Sequence, residues 1–421
     1  MDTIMKAVRL MENNQSEEAI KLIEAFLPTA DDDKKYTIAE FYLQWGFLQE
    51  ALVILQELLS KYPEESDIKV MLADIYIELE DDKKAINLLD DIKDDDPIYV
   101  QVLLQLADLY QAQGLFEVAE LKLLEAKKIS PNEPIIDFAL GEFLFSIGEY
   151  KRSIIYYEKI PQETKELANI SIHARLAEAY ASSGEYEIAL PFFEKVDSNN
   201  PDILFKYGFT AYHANRKDIA INVWKKVIDL DEHYHSVYYE LAKAYREEGL
   251  IKEAYDTSEK GLQMDEFNKE LYYYTGLLAH QLDNLVESEK LIRQAIALDA
   301  DYKEAVLFLI ELFKMKDDHT EIVTLIKDIN SLGAEDSLYD WELARAYLEM
   351  ESYGNALESY RETYNTLNDD GEFLKEYGEF LIEDGKMDEA IPIFEAYLQQ
   401  EPQDVEMVEY VDRLKQSKDM S

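Results

Sequence analysis

The chain has 421 residues, of which 89 are Asp or Glu and 42 are Lys or Arg, so its formal charge at neutral pH is −47. Such a negative field repels nucleic-acid phosphates and anionic lipid surfaces, which excludes general binding to either. The hydrophobic share of 47% and the 30 tyrosines nevertheless indicate a folded protein, and the absence of cysteine excludes disulfides, thiolate catalysis and cysteine-bound metals.

The N-terminal segment "MDTIMKAVRLMENNQSEEAI" interrupts its apolar residues with charge every few positions. It therefore contains neither a signal-peptide core nor the roughly 20 apolar residues that a membrane span needs. The lack of cysteine also suits a reducing compartment. We expect a cytoplasmic protein without membrane insertion.

From this segment onwards, two ladders of mostly small residues recur at a nearly constant spacing. One ladder consists of Ala19, Ala51, Ala85, Ala119, Ser153, Ala189, Ala220, Ala254, Ser288, Ile322, Ala356 and Ala390, and most of its steps are 34 residues. The other stands twelve residues earlier and consists of Ala7, Ala39, Ala73, Ala107, Gly141, Ala177, Gly208, Ala242, Gly276, Ile310, Ala344 and Gly378. A fixed period of this length indicates a repeat architecture.

Each period predicts a helix, a turn and a second helix. Between the ladders most repeats carry a glycine, such as Gly114, or an acidic turn such as Glu80 to Asp82. The second helix places large residues four and seven positions after its ladder residue, as in Trp224 and Val227, on one helical face. Prolines such as Pro131 close many repeats, since proline stops a helix.

The 34-residue period, the "LA..Y" or "YG" pattern of the first helix, the facing small residue and the closing proline resemble the tetratricopeptide repeat. In length, acidity and lack of an apolar anchor, the chain is also similar to the YpiA-type tetratricopeptide proteins of low-GC Gram-positive bacteria. The resemblance implies an all-α, right-handed α-solenoid of about twelve helix-turn-helix units. We expect about 25 helices and no sheet.

We predict three segments along the solenoid. Repeats one to six occupy residues 1–197, repeats seven to twelve occupy 198–403, and residues 404–421 form a C-terminal capping helix and tail. The ladder steps of 36 and 31 residues flank "VDSNNPD", Val196 to Asp202, which is either a tolerated loop insertion or a joint between two halves. In the tenth repeat, Ile310 and Ile322 replace small residues, so we expect its two helices to lie further apart.

No motif in the chain predicts catalysis or a cofactor. There is no glycine-rich phosphate loop and no zinc-protease motif, and the sequence has 14 glycines in all. His233 and His235 have no third ligand near them in sequence, so we interpret them as surface histidines that bind no metal. We therefore predict a protein that is not an enzyme and has no cofactor.

The resemblance implies that first helices line an inner, concave wall and that the residue after each small residue points into the groove. In repeats two to six this residue is a carboxylate, namely Glu40, Asp74, Asp108, Glu142 and Glu178. We call these five residues the acidic strip and predict that they bind a basic segment of a partner. The alternative is that an acidic protein carries carboxylates on every surface.

The second half of the chain has a different composition at the groove positions. It combines aromatic residues with cations, namely Phe205, Tyr212, Tyr239, Lys243, Arg246, Tyr273, His280, Lys314, Trp341 and Arg345. Aromatic residues beside charges are typical anchors for a bound peptide, although they also suit packing between repeats. We therefore predict a second, aromatic and partly cationic binding wall.

The predicted function is that of a non-enzymatic scaffold or adaptor that binds a protein or peptide in its groove. By analogy with the family, it would link a target enzyme to a regulator or a protease. The alternative is a regulatory sensor whose curvature changes when it binds a signalling peptide. We also predict that Leu72, Leu106, Leu176, Leu241 and Leu343 occupy equivalent core positions.

Overall fold

The computed structural model describes residues 2–419; Met1 of the first predicted repeat and residues 420–421 of the predicted tail lie outside the described residues. The described chain forms 25 α-helices, a 3-10 turn at Leu27–Thr29 and one short β-hairpin. It divides into two compact halves, Met1–Ser198 and Asn199–Ser421. We call them the N-terminal half and the C-terminal half. The prediction of an all-α solenoid is confirmed.

The N-terminal half contains six pairs of helices, and odd and even numbers denote the first and the second helix of a repeat. The helices are α1 (Asp2–Glu12), α2 (Ser16–Phe26), α3 (Asp32–Gln44), α4 (Leu48–Lys61), α5 (Ser66–Glu78), α6 (Asp82–Asp90), α7 (Tyr99–Ala112), α8 (Phe116–Ile129), α9 (Pro134–Ser146), α10 (Tyr150–Tyr157), α11 (Ile172–Ser182) and α12 (Tyr186–Phe193).

The C-terminal half contains six further pairs and a final single helix. They are α13 (Pro201–His213), α14 (Lys217–Leu230), α15 (Ser236–Glu247), α16 (Ile251–Met264), α17 (Lys269–Gln281), α18 (Leu285–Leu298), α19 (Lys303–Met315), α20 (His319–Ser331), α21 (Ser337–Glu349), α22 (Tyr353–Tyr364), α23 (Gly371–Glu383), α24 (Met387–Gln400) and α25 (Val405–Asp419). The predicted capping helix is α25, which buries Met407 and Val411 beside the twelfth repeat.

All 24 residues of the two ladders lie on helices and are buried, so the register of every repeat is confirmed. The five leucines that we predicted at equivalent core positions are also buried, the most exposed of them being Leu343 at 8%. Small ladder residues let the two helices of a repeat approach, and the large residues beside them fill the layer between the helices.

In three repeats the first-helix ladder residue is a glycine that faces an aromatic ring on the second helix. The pairs are Gly141 with Tyr157, Gly208 with Trp224, and Gly378 with Phe394, and all three rings are fully buried. A Cβ atom at any of these glycines would overlap the facing ring. The large ring therefore occupies the space that a side chain at the glycine position would need.

A residue with left-handed backbone geometry stands five positions before the second-helix ladder residue in every repeat. It is a glycine in six repeats, and in the others it is Asn14, Glu80, Asn215, Asp283, Asp317 or Glu351. Gly114 shows what the geometry achieves, because the N–H of Leu115 that follows donates to the carbonyl oxygen of Tyr110 at 2.8 Å. This 6→1 bond closes the end of the first helix and sets the turn into the second.

The tenth repeat is distorted, as the sequence predicts. Ile310 and Ile322 are both buried, which shows that the ladder positions are assigned correctly. The helices α19 and α20 are less closely packed against each other than the two helices of any other repeat. The two isoleucine side chains hold apart helices that an alanine or glycine would allow to touch.

The prediction of a chain without sheet is wrong at one place. Two-residue strands β1 (Glu166–Leu167) and β2 (Ile170–Ser171) form an antiparallel hairpin between α10 and α11. The hairpin lies between Ser153 and Ala189 and accounts for the ladder step of 36 residues. The step of 31 residues, from Ala189 to Ala220, is short because α12 and the link after it are short. The extra residues therefore lie before the sixth repeat and not in the segment Val196 to Asp202.

Candidate functional site

The acidic strip lies on the successive first helices α3, α5, α7, α9 and α11. The side chains of its members are not equally accessible. Glu40, Asp74 and Asp108 are exposed, Glu142 is half-buried, and Glu178 is buried. The strip therefore consists of three open carboxylates followed by two enclosed ones.

Asp74 and Glu142 each have a partner at one position of the following repeat, two residues before its first-helix ladder residue. We call this the pairing position. Gln105 at this position donates from Nε2 to Oδ1 of Asp74 at 2.9 Å, and Arg175 places Nε 2.8 Å from Oε1 of Glu142. A polar side chain at the pairing position therefore reaches back to the carboxylate of the preceding repeat.

Two strip residues face pairing positions that cannot donate a hydrogen bond. Met71 stands at the pairing position for Glu40, and Ala139 stands at the one for Asp108. Consistent with this, neither carboxylate forms a hydrogen bond or ion pair with a residue that the structure describes. Both remain available to an external donor.

Asp74 and Asp108 are open to water but are surrounded by protein. Burial raises the pKa of the Asp108 carboxyl above its ordinary value, and no other group offsets this effect. Burial also raises the pKa of Asp74, where the hydrogen bond from Gln105 acts in the opposite direction. An exposed carboxylate whose charge is nevertheless disfavoured lies on a recessed part of the surface.

The last two strip residues belong to a closed network. Arg175 bridges Glu142 and Glu178, with Nη1 donating to Oε2 of Glu178 at 3.0 Å, and Tyr157 donates from Oη to Oε1 of Glu142 at 2.6 Å. Burial, and then the bond to Glu142, raise the pKa of the Tyr157 hydroxyl. Arg175 therefore neutralises the part of the strip formed by Glu142 and Glu178.

A cavity of about 300 Å³ opens beside Glu40, between α3, α5 and the start of α7. We call it the Glu40 pocket; its lining comprises Tyr36, Glu40, Leu43, Gln44, Asp67, Val70, Met71, Ile98 and Gln101. Burial raises the pKa of the Tyr36 hydroxyl, and the nearby charges of Glu40 and Asp67 raise it further. The pocket thus places two carboxylates beside a lining of four apolar side chains, a tyrosine and two glutamines.

Two predicted cations of the C-terminal half are enclosed by carboxylates. Lys314 lies 2.8 Å from Glu311 and 2.5 Å from Glu342, measured from Nζ to the carboxylate oxygens. Arg345 holds Glu376 through Nε and Nη2, donates from Nη1 to Glu342 at 2.9 Å, and lies 4.1 Å from the ring centre of Trp341. With Glu372 at 4.0 Å from Nη2 of Arg345, four carboxylates surround two cations here, so these residues form no free positive patch.

The other two predicted cations, on α15, contact aromatic rings. Nζ of Lys243 lies 4.9 Å from the ring centre of Tyr212 and 4.0 Å from a carboxylate oxygen of Glu240. Cζ of Arg246 lies 5.7 Å from the ring centre of Tyr274, and its Nε donates to Oε1 of Gln281 at 3.3 Å. Both are half-buried, and their cation–π contacts hold neighbouring repeats together.

The predicted aromatic anchors pack against the next element of the solenoid. Trp341 is 7% exposed, and its Nε1 donates to Glu376 of the following repeat at 2.8 Å. The ring contacts of the others, given by distances between centroids, are Phe205 with Tyr234 (5.2 Å), Tyr239 with Tyr274 (5.0 Å), Tyr273 with Tyr302 (5.2 Å) and His280 with Phe308 (5.4 Å), while Tyr212 donates from Oη to Glu247. Packing between repeats therefore occupies these side chains.

The described residues contain no group of three or more His, Asp or Glu side chains arranged to hold a metal ion. His233 and His235 are exposed, and their only acidic neighbours within 4.0 Å that the structure describes are Glu232 and Asp265, respectively. None of the helices between residues 2 and 419 is both long and apolar enough to cross a membrane.

Comparison with solved structures finds other tetratricopeptide proteins. The chain is 16% identical to the C-terminal part of a tetratricopeptide repeat-containing protein from Cytophaga hutchinsonii, with a TM-score of 0.44 over 64% of this chain and 97% of that one. It is 17% identical to YrrB, described as a tetratricopeptide protein with an unusual peptide-binding site, with a TM-score of 0.38 over 44% of this chain and 95% of that one.

Comparison of sequences gives a closer match. The family of YpiA-like C-terminal tetratricopeptide repeats matches residues 338–404, the family of YpiA-like tetratricopeptide repeats matches 111–164, and general tetratricopeptide families match 43–97, 170–203 and 235–268. The chain is 37% identical to the tetratricopeptide repeat-containing protein YpiA of Bacillus subtilis strain 168 over 98% of both chains. On this ground, the chain belongs to the YpiA-like family of tetratricopeptide repeat proteins.

Proposed function

We propose that this protein is a non-enzymatic, cytoplasmic adaptor that binds a basic segment of a partner protein along the first helices of its N-terminal half. The observation that supports this most directly is that three exposed carboxylates have no cationic partner among the described residues. Glu40 and Asp108 have no partner among the described residues, and Asp74 has only the neutral amide of Gln105. Packing of the repeats does not require these charges.

The energetic argument concerns Asp74 and Asp108. Their raised pKa values mean that the folded protein holds each charge in a less favourable environment than water does. A cationic side chain brought to the same surface would lower that electrostatic cost. Carboxylates on successive repeats also repel one another until a partner supplies positive charge.

The spacing of the two unpartnered carboxylates constrains the partner. Glu40 and Asp108 lie two repeats apart, on α3 and α7. Helices that pack side by side are about 8–10 Å apart, so two such steps cover about 20 Å. An extended chain advances about 3.3 Å per residue, and we therefore propose a partner segment with two cations about six residues apart.

The adaptor function is tested by capturing partners from an extract of the source bacterium with the tagged full-length protein. The test variant combines Glu40→Gln, Asp74→Asn and Asp108→Asn. Glu142 is left intact because its removal would disrupt the Arg175 network. We expect this variant to lose its partners at low salt, and its difference from the unmodified protein should shrink at high salt, where the carboxylates of the unmodified protein are screened as well.

The matched control combines Glu24→Gln, Glu50→Gln and Glu117→Gln on the second helices α2, α4 and α8. These three carboxylates are exposed, and the control removes the same net charge as the test variant. It should capture partners as the unmodified protein does. Equal losses for both variants would show that only the general negative field matters, and partners retained by the test variant would contradict the proposed surface.

A further inference from the structure

The Glu40 pocket contains two carboxylates that no described side chain neutralises. Glu40 and Asp67 are both exposed, and neither forms a hydrogen bond or ion pair with any residue between 2 and 419 that the structure describes. Both lie near the Tyr36 hydroxyl, since their charges raise the pKa of that group. The two negative charges therefore act on the same small volume.

Apart from Tyr36, Gln44 and Gln101, the remainder of the lining is apolar. Val70 is 7% exposed, and Leu43, Met71 and Ile98 are half-buried around the cavity. A small inorganic cation would gain nothing from these side chains. An alkyl chain that ends in a cation would bury its methylene groups against them and keep its charge at the carboxylates.

Tyr36 adds a third type of contact. Its half-buried ring lines the same cavity, and an ammonium or guanidinium group near such a ring is attracted to the negative face of the π-system. A cavity of about 300 Å³ is of a size for a single side chain and not for a folded element. The geometry and the charge are thus complementary to one long cationic side chain.

We propose that the Glu40 pocket is a subsite that binds the side chain of one lysine or arginine from the partner segment. The proposal rests on the proposed function for the source of this side chain. Glu40 and Asp67 bind the cationic group, Tyr36 contacts it through its ring, and Val70 and Met71 cover the methylene groups.

The absence of cysteine in the chain permits a direct test without any partner. Gln44 lies one helical turn after Glu40 and is exposed at the pocket. Gln44→Cys therefore introduces the chain's single thiol at this position. The full-length variant is equilibrated with an equimolar mixture of cystamine and bis(2-hydroxyethyl) disulfide under mild reduction, and mass spectrometry of the intact protein gives the ratio of the cationic to the neutral adduct.

Two controls separate the pocket from the general field of the protein. Val53→Cys places the thiol on α4, where the side chain is 67% exposed, and reports the cation preference caused by the net charge alone. Glu40→Gln with Asp67→Asn in the Gln44→Cys background removes the two pocket charges. We expect the adduct ratio at residue 44 to exceed that at residue 53 about fivefold, and the excess to disappear in the triple variant.

Equal ratios at residues 44 and 53, or an excess that survives neutralisation of Glu40 and Asp67, would overturn the subsite. This result would be independent of partner capture, so it can fail while the adaptor function holds. Capture by the Glu40→Gln, Asp67→Asn protein is measured in parallel and should fall below that of a Glu50→Gln, Glu117→Gln control. A cation preference combined with unchanged capture would overturn the assignment of the side chain to a partner and would favour a free polyamine as the ligand.

Discussion

The acidic strip in the N-terminal half and the network around Arg345 in the C-terminal half use the same two positions of the repeat with opposite results. Asp108 faces Ala139 at the pairing position and stays unpaired, whereas Arg345 occupies the strip position of its repeat and faces Glu376 at the pairing position. The comparison teaches that one residue of the next repeat decides whether a wall position is open for binding or committed to the fold.

The largest expected effect comes from breaking the closed network. Arg345→Met would leave the partly buried Glu376 without its cation, whereas Glu342 keeps its ion pair with Lys314, and we expect the free energy of unfolding of this region to fall by about 2–4 kcal/mol. Hydrogen–deuterium exchange of α21 and α23 would measure the loss locally, which suits a repeat protein whose segments open independently.

A matched arginine provides the control for this experiment. Arg361 pairs with Glu389 at 2.7 Å, but the side chains are 55% and 45% exposed. Arg361→Met should therefore cost less than about 1 kcal/mol. If the two variants lowered exchange protection equally, enclosure by carboxylates would not distinguish the two arginines.

The second expected effect comes from giving the unpaired Asp108 a partner within the protein. Ala139→Arg would supply the pairing position with a cation for Asp108, as Arg175 does for Glu142. We expect the new ion pair to weaken binding of the captured partner about fivefold, because the carboxylate is no longer free. Titration of the partner, followed by fluorescence anisotropy, would measure the change.

Ala139→Gln separates the charge of the new side chain from its size. It adds a side chain that can donate a hydrogen bond but carries no charge, which reproduces the relation between Gln105 and Asp74. It should weaken binding less than the arginine does. Equal losses would mean that the substitution at residue 139 obstructs the wall sterically.

The smallest expected effect concerns pH. A carboxyl whose folded-state pKa is raised binds protons more readily in the folded protein, so its contribution to stability falls as pH rises from the ordinary value of 3.8 to the raised one. Asp108→Asn removes this loss and should therefore raise the melting temperature slightly at pH 7. Below pH 3.8 the variant and the unmodified protein should melt alike.

Asp340 in the C-terminal half extends the same test. Burial, and then the charges of Glu362, Glu335 and Asp336, raise its pKa to about 6. The gain from Asp340→Asn should therefore be complete only above pH 6 and should vanish between pH 6 and 3.8. A gain for either variant that does not change with pH would exclude titration of that carboxyl as its cause.

The period of the sequence predicted the fold because each ladder residue has the same neighbours in every repeat. Ala51, Ala220 and Ala390 are all fully buried for this reason. The hairpin at Glu166 to Ser171 was not predicted, since ladder spacing locates an insertion only to within one repeat. Even the two isoleucines of the tenth repeat were placed correctly, because the period does not depend on the size of one side chain.

The sequence predicted which residues occupy the strip position of each repeat, but it did not predict which of them form an ion pair or hydrogen bond with another side chain. A prediction that considers only the strip position of each repeat treats Glu142 and Asp108 alike. In the structure they differ, because Arg175 pairs with Glu142 whereas Asp108 has no partner among the described residues. The missing signal was present in the sequence at the pairing position, where Arg175 and Glu376 carry charge and Ala139 does not. Trp341 shows the same limit, since its burial depends on the repeat that follows it and not on its own helix.

The glycine–aromatic pairs make two positions of a repeat, 16 residues apart, depend on each other. If Gly208 were alanine, its Cβ would overlap the ring of Trp224, and the two other pairs behave alike. A smaller residue in place of the ring would leave a void beside the glycine. Either change alone is therefore destabilising, whereas both together keep the shared volume filled and leave the period of the repeat unchanged.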